Sequence, residues 1–94
     1  MGGSVDWSHG WEHMLERHEI TVRMATEALT DPGAVILSPD PASTSGASDR
    51  TIGYSNIARS ILVVITVTEE GATHGINGWR ANSTSQRIYR EGRL

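Results

Sequence analysis

Residues 75–92, GINGWRANSTSQRIYREG, set Trp79 and Arg80 at the end of an apolar segment and follow them with Arg87, Tyr89 and Arg90. A guanidinium is a planar fork that binds phosphate or carboxylate through paired hydrogen bonds. Arg80, at a strand-to-helix junction, is therefore the first candidate for holding a reacting phosphate. Arg50, at a strand start, is the second. Arg87 lies one helical turn beyond Arg80, and Arg90 belongs to the exposed tail; both are candidate polyanion contacts. Trp79 is a candidate for stacking on a base, since every base offers an aromatic face. The competing reading of each arginine is surface ion pairing.

His74 opens the last strand and His18 lies on the apolar stripe of the first helix; histidine exchanges protons near neutral pH. A strand histidine also serves as a half-buried hydrogen-bonding residue, and His18 equally as a core or capping residue. Tyr89 either hydrogen-bonds a phosphate or anchors the last helix through Ile88 and Trp79. His9 and His13 have metal-ligand spacing, with Glu12 and Glu16 nearby, but a solvated helix face explains them without a further ligand, and no metal or other cofactor is expected. Trp7 and Trp11 read as core. The 10 glycines are scattered, and none opens a phosphate-cradling strand-to-helix turn.

Charge is divided along the chain. Residues 1–49 carry a net −6 and residues 50–94 a net +3, which together give the overall −3. All 8 basic residues are arginine. With 0 cysteines, disulfides, thiolate metal sites and cysteine nucleophiles are excluded. A chain of 94 residues suits one domain with a packed core. No signal peptide or membrane-spanning run is evident, which leads to the expectation of a cytoplasmic protein without membrane attachment.

The elements that must position these residues follow from periodicity. Trp7, Trp11, Met14, Leu15 and His18 share one face of a first helix with Ser8 as N-cap. A second helix begins at Thr21, with Ile20 as staple, and ends at Asp31-Pro32-Gly33. Strands are expected at 34–37, 50–55, 59–68 and 73–79, joined by the polar loop 38–49 and turns near Asn56 and Gly71, with 59–68 central because it is continuously apolar. A last helix starts at Asn82 or Ser83, the latter forming a capping box with Gln86. The order implies an α+β domain whose mainly antiparallel sheet buries one face against helices.

RHEIT at 17–21, RTIG at 50–53, and INGWRA at 76–81 followed by RIYREG at 87–92 resemble, in the same order, the BrnT family of bacterial toxins. In that family a histidine-glycine pair closes the first helix, an arginine precedes an isoleucine-glycine pair, and a strand ending in serine-alanine-arginine leads to a helix bearing a tyrosine. The counterparts are His18, Arg50 with Ile52 and Gly53, and Arg80 with Tyr89. The resemblance implies a RelE-like, microbial-ribonuclease-like fold and translation arrest by RNA cleavage. It also implies neutralisation by an antitoxin of the ribbon-helix-helix type, in a heterocomplex or alongside a toxin homodimer.

Metal-free RNA cleavage uses the 2′-hydroxyl as nucleophile, so the protein must take its proton, stabilise the crowded phosphate and help the 5′-oxygen leave. Arg80, Arg50, His74, His18 and Tyr89 are the catalytic candidates; Arg87, Trp79 and Arg90 are the RNA-binding ones. The chain departs from the family pattern in having Glu19 for glycine, Trp79 for one of two successive arginines and Asn77 for serine. A left-handed non-glycine cap at Glu19 would cost about 1–2 kcal/mol. A thinner arginine cluster also suits a rival reading, a non-catalytic protein-binding module that keeps the toxin fold.

Overall fold

The computed structural model describes residues 5–94. Along the chain run α1 (Trp11–His18), α2 (Val22–Thr30), β1 (Val35–Leu37), β2 (Ser48–Ser55), β3 (Ser60–Glu69), β4 (Ala72–Arg80) and α3 (Ser83–Glu91). This is the expected α+β order. The strands form one sheet in the order β1-β2-β3-β4 with every neighbouring pair antiparallel, as short connections between consecutive strands favour.

The central strand β3 sets the layering. Successive side chains of a strand face opposite sides, and here both sides are apolar. Leu62 and Val64 join Trp7, Met14, Ile20, Ala25 and Ala28 in one buried cluster. Val63 and Ile65 join Ile52, Ala81 and Ile88 in another. The sheet therefore buries both faces, against α1 and α2 on one side and α3 on the other, and not the single face expected from the sequence. A continuously apolar strand requires this double cover.

Helix α1 corrects two sequence expectations. Ser8 is not its N-cap: the Ser8 N–H donates to Asp6 Oδ1 at 2.8 Å, and the helix starts after Gly10. Trp7 consequently lies outside the helix and packs flat on Gly75, where a Cβ would collide with the indole. The inward line of α1 runs from buried Gly10 and Met14 to half-buried His18, so Trp11 and Leu15 are left 45% and 41% exposed. The helix ends in a left-handed Glu19 (φ 59°). The Glu19 N–H reaches Leu15 O at 2.9 Å and the Ile20 N–H reaches Met14 O at 3.5 Å, which turns Ile20 into the core. Burying such a side chain contributes about 1.5–3 kcal/mol, enough to offset the strain of the cap.

Thr21 caps α2 by accepting from the Met24 N–H at 3.2 Å, as its sequence position predicts. Helix α2 lies close over β2 because Gly53 has no side chain; a Cβ there would collide with the Ala28 carbonyl. Helix α3 is capped by Asn82, whose side chain accepts from the Ser85 N–H at 2.9 Å. The Ser83–Gln86 box does not form: Gln86 turns back to the Ala81 carbonyl at 3.0 Å. In β4 the register jumps between the Ile65–Asn77 and Thr66–Gly75 pairs, leaving Ile76 as a bulge.

Candidate functional site around Trp79

Trp79 and Arg50 share the α3 side of the sheet, and His18 reaches the Trp79 ring from the end of α1. Trp79 pairs with Val63 and packs on the second apolar cluster. Arg50 pairs with Ile65, a member of that cluster, and so shares the face. Its guanidinium carbon stands 5.6 Å from the centre of the Trp79 ring, within cation–π range. His18, in the last turn of α1, brings its imidazole to 5.8 Å from the same ring at 49°. His13, one turn earlier, sets a second imidazole 6.3 Å from His18, edge to face. His13, four residues from the His9 with which its spacing would suit a shared metal, thus neighbours His18.

Asp40 fixes Arg50. Its Oδ1 accepts from Arg50 Nε at 2.9 Å and its Oδ2 lies 3.5 Å from Nη2. The carboxylate is itself held, with Oδ1 also accepting from the Ala42 N–H at 3.0 Å. The side chains are 6% and 21% exposed for Asp40 and Arg50, so water screens the pair only partly. A cleft of about 240 Å³ opens beside this pair, between residues 40–42 and α3, with Leu37, Ser85 and Ile88 among its walls.

The remaining candidates lie elsewhere. Arg80 is exposed and lines a separate cleft of about 380 Å³ with Tyr54 and Arg59. Arg87 and Arg90 are exposed on α3. Tyr89 donates its hydroxyl to Asp31 Oδ2 at 2.6 Å, tying α3 to the end of α2. That bond is the largest cause holding the Asp31 carboxyl below its ordinary value, with the Tyr54 and Gly33 N–H groups adding to it and burial opposing. The same bond raises Tyr89, which burial raises further. Tyr89 therefore stays a neutral phenol engaged in an anchor.

His74 sits near the opposite end of β4 from Trp79. Its Nδ1 lies 3.6 Å from Asp6 Oδ2, and His74 and Asp6 form a parallel bridge that stitches the segment before α1 to the sheet edge. Asp6 is held below its ordinary value chiefly by the Ser8 hydrogen bonds, with smaller contributions from His74 and His9. Among the described residues no three histidine, aspartate or glutamate side chains gather as a metal site, and no helix is long and apolar enough to cross a membrane.

Sequence reasoning did not single out Asp40, His13 as a partner of His18, or Arg59. In the structure the β1–β2 pairing sets Leu37 opposite Arg50, and Asp40 in the intervening loop turns back to that arginine. No protein-family model matches the chain, and no curated protein matches it.

Proposed function

We propose that the chain is a metal-independent endoribonuclease, the toxin partner of a toxin–antitoxin pair, acting at the Trp79 cluster. One observation carries the reading. His18 and Arg50, far apart in sequence and both counterparts in the resemblance to BrnT toxins, meet around the ring of Trp79, where the chain departs from that pattern. A nucleotide base stacks on Trp79, and the Arg50 guanidinium faces a non-bridging phosphate oxygen. The His18 imidazole takes the proton of the 2′-hydroxyl as the O2′–P bond forms. The His13 imidazolium gives a proton to the 5′-oxygen as the P–O5′ bond breaks. The products are a 2′,3′-cyclic phosphate and a free 5′-hydroxyl, and each imidazole ends in the protonation state in which the other began.

On this reading Tyr89 and His74 are structural, while Arg80, Arg87 and Arg90 bind the RNA backbone away from the scissile bond. An antitoxin of the ribbon-helix-helix type covers the arginine-bearing face, and the setting is the cytoplasm, where the RNA substrate is translated. The test is induced expression with and without the adjacent gene, scored for growth arrest and RNA decay, beside purified chain on RNA in chelator. Arrest that the neighbour relieves, with cleavage unaffected by chelation, is expected; no cleavage by the partner-free chain overturns the proposal.

The Asp40–Arg50 pair favours a second reading. An arginine whose fork is already engaged by a buried carboxylate is poorly placed to receive phosphate. A non-catalytic binding module with the toxin fold would keep that pair intact.

A further inference from the structure

We infer that the cleft between the β2–β3 turn and the start of α3 is a nucleotide-binding subsite, in which Arg59 and Arg80 grip an RNA phosphate and Tyr54 stacks on the attached base. It rests on the ribonuclease reading above and lies outside the Trp79 cluster. The cleft holds about 380 Å³, and its walls include Tyr54, Arg59, Ser60, Arg80 and Gln86 but no carboxylate. Among the described residues the ion pairs use Arg50 and His74, so both cleft guanidinium groups are without an acidic partner. Gln86 is committed to the Ala81 carbonyl, which leaves the arginines as the cleft's free strong donors.

The backbone at Arg59 points the same way. Its φ of 53° lies in the left-handed region, where glycine or asparagine is comfortable and arginine costs stability. A left-handed residue helps to close a short hairpin loop, and a second group also holds this turn. Glu27 does so from α2, its Oε1 accepting from Ser55 Oγ and from the Ile57 N–H, both at 2.8 Å. Ser55 Oγ accepts in turn from the Ala58 N–H at 3.1 Å. Arg59 thus stands on a braced platform with its side chain free for a ligand. Tyr54, 38% exposed, adds a ring. Two guanidinium groups beside a phenol match a nucleotide, in which a phosphate and a stacking base are joined through one sugar.

The test titrates a 2′-O-methyl oligoribonucleotide, which cannot be cleaved through its 2′-oxygen, into the full chain at several salt concentrations. Arg59→Gly should raise Tm by relieving the backbone, yet weaken binding about tenfold or more, the low end for losing one hydrogen bond to a charged group. It should also lower the slope of log K against log salt by roughly 0.7–0.9, one phosphate contact. Arg80→Gln and Tyr54→Ala should weaken binding without raising Tm. Parent-like affinity and salt slope in Arg59→Gly, in a chain that does cleave unmethylated RNA, overturn the subsite alone. Binding through Arg59 in a parent chain that cleaves no RNA overturns the ribonuclease reading alone. A parent that ignores the oligonucleotide, while an acidic peptide binds through Arg59, overturns both.

Discussion

Replacing Asp40 by asparagine tests how Arg50 is held. The substitution keeps the shape and an oxygen to accept from the Ala42 N–H, now 3.0 Å away, but removes the charge facing Arg50 Nε at 2.9 Å. Two unit charges at about 4 Å attract by roughly 4 kcal/mol at an effective dielectric of about 20. Arg50, 21% exposed, regains part of that through hydration, and the asparagine oxygen retains a weaker hydrogen bond. The net loss should be about 1–2 kcal/mol, near the range for hydrogen bonds to charged groups. For a domain of this size that lowers Tm by roughly 4–16 °C. Urea unfolding of the parent, Asp40→Asn, Arg50→Gln and the double variant gives the coupling, expected to be about 1 kcal/mol. RNA affinity should rise in Asp40→Asn, because Arg50 then meets phosphate without a competing carboxylate. A coupling below about 0.3 kcal/mol would show that Asp40 does not hold Arg50, and the positioning argument fails with it.

Gly53→Ala should cost about 1–3 kcal/mol or more in urea unfolding, because the new methyl collides with the Ala28 carbonyl and α2 must lift from β2; parent-like stability would mean that α2 is not seated there. Acid should weaken the fold. Asp31 is held below its ordinary 3.8, mainly by Tyr89, and Glu27 below its ordinary 4.5, mainly by the Ile57 N–H and then Ser55. Groups with lowered folded values give stability that is complete above their unfolded values and lost as pH falls through the folded ones, so the urea midpoint should hold from neutral to about pH 5 and drop below about pH 4. Tyr89→Phe should cost about 1 kcal/mol at neutral pH and shrink the acid drop, and an unchanged acid profile in that variant would remove Tyr89 as the cause.

The elements were legible where a single local signal decided them. Thr21 before an apolar stripe, the Asp31-Pro32-Gly33 stop and the unbroken apolar run of β3 each specify their element whatever surrounds them. The start of α1 was not, because Asp6 captures the Ser8 N–H and Trp7 finds Gly75 on a strand far along the chain. That long-range contact also turns Trp11 and Leu15 outwards, which helical periodicity alone cannot foresee. Of the candidate site, the residue types were legible and their grouping was not. Trp79, Arg50 and His18 converge because a helix end, a strand start and an edge strand meet at one corner. Arg80 follows Trp79 directly, yet it lines a different cleft. Asp40 and Arg59 lie in connections between strands, where composition carries no record of what a side chain will face.

Cleavage of an unmodified oligoribonucleotide by the purified, partner-free chain in chelator, read by mass spectrometry of the product ends, decides whether the Trp79 cluster is a ribonuclease site. The expected products carry 2′,3′-cyclic phosphate and 5′-hydroxyl ends, with the rate falling about a hundredfold or more in His18→Ala while the variant stays folded, the scale at which general acid–base groups contribute. An intact oligonucleotide, or a His18→Ala variant that generates the same ends at the parent rate, would contradict it.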